Sequence, residues 1–309
     1  MGIREIRKSY NRLGWSMLAY MAIYQFMSLP FLLLVKQFWP ELLSETWFNL
    51  ILNEVIQYGI ALPVAVLIMN SAKAPKPQEV RPQRKYRLSV GEFLHYLILS
   101  IGLLFLFNIV GTYLNYLISL VKGSQAGNIV EQSLTSYSIP QAFLLTVISA
   151  PIGEELLFRK CIFRAVGCYG EKAFLFTSAS LFMLMHGNVI QYPYAFAVGL
   201  VFGWVYLRTG SIWYSIFLHA IVNFVGGILP LLGEDVPAIM AGLSILYLVS
   251  SGYAIWIIWR KRYFRVRNKP ELVEGALDAA LINPGMMLFT VASFVMAGYI
   301  ILYLSLIHI

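Results

Sequence analysis

The residues that could do chemistry lie in three short runs. In the first, Ile148-Ser149-Ala150-Pro151-Ile152-Gly153-Glu154-Glu155-Leu156-Leu157-Phe158-Arg159, two adjacent carboxylates sit in an apolar stretch. An ionisable side chain at mid-membrane depth costs about 2.5–3.5 kcal/mol, so groups placed there are functional candidates. Arg159 follows Glu155 by four residues, on the same helix face, and the two can neutralise each other. Glu154 points about 100° away around the helix. It has no local partner, which suits it to take a proton from water. Pro151 and Gly153 loosen the backbone just upstream, where water or substrate could enter. The second run is Phe182-Met183-Leu184-Met185-His186 and the third His219-Ala220-Ile221-Val222-Asn223. The i,i+4 spacing puts His219 and Asn223 on one face.

Taken singly, each group has a plain structural use. Glu154 and Glu155 could be an ion pair or part of an ion pathway, the histidines and Asn223 could bond neighbouring helices, and Phe182 could simply pack below His186. The elements that carry them decide the matter. Of the 309 residues, 59% are apolar and 12% charged, where a soluble domain carries about 25% charge. Mean hydropathy is +0.71. A membrane span needs about 20 mainly apolar residues. Nine stretches qualify: Leu13–Val35, Trp47–Met69, Phe93–Val121, Pro140–Val166, Ala173–Ile190, Tyr192–Leu207, Ile212–Leu232, Val236–Trp259 and Pro284–Ile309. The expected fold is an all-α polytopic membrane helix bundle of about nine transmembrane helices. It divides into N-terminal helices with a basic loop (1–139), a central core (140–232) and C-terminal helices (233–309).

With the N-terminus on the cytoplasmic side, alternation puts all but Lys36 and Lys122 of the 23 Lys and Arg on that side, the asymmetry that the positive-inside rule describes. The net charge of +8 is therefore topological. Its partners are anionic lipid headgroups, and no nucleic acid is needed to explain it. Cys161 and Cys168 are read as small apolar fillers with no disulfide framework. Ser71–Arg87 reads as a solvated loop, and Arg265–Asn283 as a stretch with room for a short surface helix. Glu54, with Asn53 and Gln57, forms a separate polar cluster. His95 reads as interfacial, and His308 lies in the terminal apolar run. Gly199 and Gly203 read as a close-packing pair.

Counted at 1.5 Å per residue from the cytoplasmic ends, Glu154, His186 and Asn223 all lie roughly 20 Å deep and His219 roughly 13 Å. Four polar side chains from three helices thus share a layer, which independent structural residues have no reason to do.

The ordered set Glu-Glu-x-x-x-Arg (Glu154, Glu155, Arg159), Phe-x-x-x-His (Phe182, His186) and His-x-x-x-Asn (His219, Asn223), each on a span, resembles the signature of the CPBP family. These are the CAAX-prenyl-endopeptidase and bacteriocin-processing intramembrane proteases, also called Abi. The resemblance covers about Pro140–Leu232 and implies an intramembrane endopeptidase with a membrane cavity. It implies that Glu154 activates water with His186, that His219 and Asn223 stabilise the oxyanion, and that Glu155 and Arg159 brace the site. Cofactor use stays open between none and zinc: Glu154, His186 and His219 would satisfy a His₂Glu zinc set, but four groups are used more economically for water activation plus oxyanion binding. The expected partners are membrane lipids and a peptide or protein substrate, and the expected location is the cell membrane. The rival functions are an ion-coupled transporter and a non-catalytic bacteriocin-immunity or scaffold protein.

Overall fold

Sequence signals fix where the helices start and stop. Ser89 caps the longest one: its backbone N–H donates to Glu92 Oε2 at 2.9 Å and its Oγ accepts from the Glu92 N–H at 3.2 Å, the reciprocal capping box that satisfies two orphan donors. That helix ends at Gly123, whose φ of +74° is the left-handed conformation that favours glycine at a helix C-terminus. The computed structural model describes residues 2–71, 86–123, 135–260 and 275–306. The helices are α1 (Ile3–Phe38), α2 (Thr46–Asn70), α3 (Val90–Lys122), α4 (Ile139–Tyr169), α5 (Glu171–Met185), α6 (Tyr192–Thr209), α7 (Ile212–Gly233), α8 (Pro237–Trp259), α9 (Ala276–Leu281) and α10 (Pro284–Leu306). Among the described residues every regular element is helical, as the composition requires. Most of the basic loop at 71–87, most of the 265–283 stretch except α9, and His308 lie outside the described residues.

Among the described residues seven helices are long and apolar enough to cross a membrane: α1, α2, α3, α4, α7, α8 and α10. The sequence suggests nine, and the difference lies in α5 and α6. The 15 residues of α5 rise only about 22 Å, and α6 carries prolyl, tyrosyl, tryptophanyl and arginyl residues along its 18. Neighbours bury 12 of the 18 residues of α6 and 7 of the 15 of α5. A helix wrapped by protein does not need the uniform apolar run that lipid demands.

The chain divides into two compact units. One comprises Met1–Glu79, Arg164–Tyr169 and Pro270–Ala292. Within it Ser16 of α1 donates a buried hydrogen bond to the Ala65 carbonyl of α2 at 2.8 Å. The other comprises Val80–Phe163, Gly170–Lys269 and Ser293–Ile309 and holds all three motifs. Its core gathers Leu99, Val201, Phe202, Leu218, Val222 and Ala254 from α3, α6, α7 and α8.

Four wide π-type turns interrupt the long helices, at Val55–Ala61, Leu144–Ser149, Leu156–Cys161 and Phe224–Ile228. Three of them end two residues before a proline: Pro63, Pro151 and Pro230. A helical proline has no N–H to give and its ring collides with the carbonyl four residues back. That carbonyl falls inside the wide turn each time, where the extra residue relieves the collision. The fourth turn has no proline and begins immediately after Glu155.

Gly199 and Gly203 turn toward α5. A Cβ at Gly199 would stand 3.2 Å from Phe182 Cδ1 and 3.3 Å from Ala179 Cα, tight enough that Phe182 would have to shift. Gly199→Leu should therefore lower the melting temperature of detergent-purified protein, with an overpacking cost of about 1–3 kcal/mol. Gly242→Leu, at a position with nothing within 4 Å, should leave it within about 0.5 kcal/mol.

Candidate active site

The site begins on the six-residue α-helical segment Ala150–Glu155 of α4, held between two wide turns. Glu155 and Arg159 face each other as the i,i+4 spacing requires, with Arg159 Nε 3.0 Å from Glu155 Oε2 and both side chains fully buried. Burying an ion pair without lipid- or water-borne compensation demands further polar contacts, and the structure provides them. Arg159 Nη1 donates to Ser178 Oγ of α5 at 2.8 Å, and that hydroxyl donates to the Phe158 carbonyl at 2.7 Å. The guanidinium also lies 4.9 Å from the Phe182 ring centre and 5.9 Å from that of Phe202, within cation–π range.

His219 of α7 connects the two glutamates. Its Nδ1 is 3.1 Å from Glu155 Oε1 and its Nε2 is 3.7 Å from Glu154 Oε2. A carboxylate paired with arginine accepts hydrogen bonds, so Nδ1 donates and the orientation of the ring is fixed. Ser215, one turn earlier on α7, lies beside Glu155 and donates its hydroxyl to the Ile212 carbonyl at 2.9 Å. The Phe202 ring stacks on the imidazole at 5.1 Å and Phe182 meets it edge-on at 5.7 Å. Glu154 differs from its neighbour in being accessible: 21% of its side chain is exposed, against none of Glu155.

His186 follows the last residue of α5 and closes that helix. Its Nδ1 lies 2.7 Å from the Phe182 carbonyl. A carbonyl only accepts, so Nδ1 carries the hydrogen and Nε2 is left as an acceptor. Phe182 touches this imidazole as well, at 4.7 Å, so one ring contacts both histidines and the arginine. Asn223 donates from Nδ2 to the Thr146 carbonyl at 2.8 Å. Thr146 lies in the wide turn Leu144–Ser149, whose altered ladder turns a carbonyl toward α7. The amide retains a second N–H.

Glu154, Glu155, Arg159, Phe182 and His219 therefore form one contiguous cluster. His186 joins it through Phe182, and Asn223 is anchored to the same helix as the glutamates. Among the described residues no three His, Cys, Asp or Glu side chains are grouped so that they could hold a metal ion. Glu154 and His219 approach one another, but the zinc set of Glu154, His186 and His219 is not gathered around one point. Ser178, Phe202, Ser215 and Tyr194 are additions that the motif pattern misses. Tyr194, at the start of α6, lies within electrostatic range of Glu154. The signal for Ser178 was present: Ser178, Phe182 and His186 recur every four residues and share a face of α5.

With this geometry in place, three comparisons bear on the chain. Residues 137–225 match the family described as type II CAAX prenyl endopeptidase Rce1-like. A Bacillus subtilis protein named "Putative membrane peptidase YdiL" is 34% identical over 89 residues, covering 28% of this chain and 36% of that protein. The Lactococcus lactis UPF0177 protein YxdF is also 34% identical over 89 residues, covering 28% of this chain and 48% of its own length. The match thus spans less than half the length of either relative. No solved structure matches. The matched stretch contains every motif residue from Glu154 to Asn223, so the part of the chain that is similar to the Rce1-like type II CAAX prenyl endopeptidases is the part that carries the candidate site.

Proposed function

We propose that this protein is an intramembrane endopeptidase that hydrolyses a peptide bond of a membrane-associated peptide or protein, with Glu154 as the general base. The observation that carries this reading is His219 held between two unlike carboxylates: Glu155, buried and neutralised by Arg159, and Glu154, partly exposed and, among the described residues, with no Lys or Arg at ion-pair distance. Paired groups with contrasting environments are how active sites divide acid–base roles.

Glu154 takes a proton from a water that His186 orients through its free Nε2. The hydroxide attacks the scissile carbonyl carbon. The developing oxyanion is met by the second N–H of Asn223, a donor preset where charge appears, while His219, its Nδ1 proton committed to Glu155, keeps its Nε2 facing Glu154. Glu154 then returns the proton to the leaving amine as the C–N bond breaks. Arg159 and Glu155 touch no reacting atom. They position His219. Both curated relatives come from bacteria, which favours a bacterial peptide substrate of the bacteriocin-processing kind. The basic residues favour a multi-pass protein in the cell membrane with the N-terminus cytoplasmic. The scattered ligand geometry favours a reaction without metal.

Glu154→Gln should lower kcat for a membrane-reconstituted reporter peptide by about 10²–10⁴ with an unchanged melting temperature. Wild-type cleavage by that variant would sink the proposal and return the transporter and immunity-scaffold readings, which do not need a base. Asn223→Ala should reduce kcat by about 10²–10³ with little change in KM. Treatment with a chelator, checked by metal analysis of the protein, should leave the rate unaltered. Arg159→Met should destabilise the protein by about 3–5 kcal/mol by leaving Glu155 buried and unpaired. The double variant Glu155→Gln/Arg159→Met should recover most of that loss in a thermal melt while remaining inactive.

A further inference from the structure

Away from the catalytic cluster, the second unit has a cavity of about 450 Å³ lined by ten residues, among them Arg87, Lys160, Tyr206, Ser211, Trp213 and Tyr214. Two of the ten are cationic and none is acidic. The volume falls within the range of small-ligand sites. Tyr86, also in the lining, is held by its neighbours: its hydroxyl donates to Glu92 Oε1 at 2.7 Å, and the Arg208 guanidinium packs on its ring at 5.7 Å. Glu92, the acid recorded beside this wall, accepts from Tyr86 and from Ser89, so its carboxylate is occupied.

The position of the cavity says what it could hold. It straddles the junction at which α6 ends at Thr209 and α7 begins at Ile212, a boundary between two successive helices of the bundle. Trp213 and Tyr86 are exposed there at 61% and 45%, the mixture of aromatic belt and basic residues found at headgroup depth. The lining adds the hydroxyl-bearing Tyr206, Ser211 and Tyr214 and the apolar Ile212 to the two cations. That is the chemistry of a phosphodiester with attached hydrocarbon.

We propose that this cavity binds the phosphate of an anionic lipid headgroup, with Arg87 and Lys160 as its counter-charges. The site is independent of peptide hydrolysis and can be tested whether or not the chain is a protease. The full chain in neutral detergent is titrated with short-chain phosphatidylglycerol, short-chain phosphatidylcholine and inorganic phosphate, with melting temperature and retained lipid in native mass spectrometry as readouts. Phosphatidylglycerol should raise the melting temperature and be retained, while phosphatidylcholine and inorganic phosphate should do neither. Each cation removed should weaken binding roughly five-fold. Arg87→Gln/Lys160→Gln should then bind about thirty-fold more weakly, Lys160→Arg should bind as wild type, and Arg4→Gln, an exposed cation on the other unit, should change nothing. Equal binding of both lipids, an equal loss in Arg4→Gln, or loss in Lys160→Arg as severe as in Lys160→Gln would overturn the proposal. Stabilisation by inorganic phosphate with no further gain from the lipid would overturn the assignment to a headgroup.

Discussion

The ion pair of Glu155 and Arg159, sealed from solvent, is the constraint on which the site depends. Neither charge could be tolerated alone at that depth, and the surrounding elements are arranged to accommodate both. Ser178 brings α5 against the guanidinium, and the Phe182 and Phe202 rings cover it. Through the second oxygen of Glu155 the pair reaches α7 and fixes His219. One compensated charge pair thus ties together α4, α5, α6 and α7, and it leaves Glu154, one residue earlier, as the carboxylate that still has access to the outside.

Aromatic rings do the close packing that a membrane interior cannot obtain from the hydrophobic effect between helices. Phe182 is the clearest case, touching Arg159, His186 and His219. It can do so because Gly199 lacks a side chain and lets α6 approach α5 closely. The glycine sets the distance, the phenyl ring fills it, and the two imidazoles take their places from the ring.

Much of this was legible in the sequence. The apolar stretches give the polytopic helical class, and the i,i+4 spacing of Glu155 and Arg159 gives their pairing, because helical geometry leaves little choice. The ordered motifs point to the family segment. The shortness of α5 and the polar residues of α6 leave these two below the length and hydropathy of the other spans, and how far neighbours cover them was not legible from hydropathy. Nor were the partners of His219 and Asn223. Which nitrogen meets which carboxylate depends on how α4 and α7 are rotated about their axes, and the wide turns change that rotation by amounts no regular 3.6-residue count contains. Pro151 was visible as a loosening element, but the wide turns before it and before Pro63 and Pro230 were not deducible from a straight helical wheel.

Those turns have a consequence for how the chain can vary. A π-type turn is in effect one surplus residue carried inside a helix, so the segment Ala150–Glu155 is phased by what lies on both sides of it. Removing one residue from Leu144–Ser149 or from Leu156–Cys161 would restore a regular helix with both flanks near their present phase, whereas removing one from the regular segment Ala150–Glu155 would turn one flank about 100° against the other. Single-residue deletions in Ala150–Glu155 should therefore be far less tolerated than single-residue deletions in the wide turns that flank it. Alignments of related chains should therefore show gaps avoiding this stretch even where side-chain identity drifts.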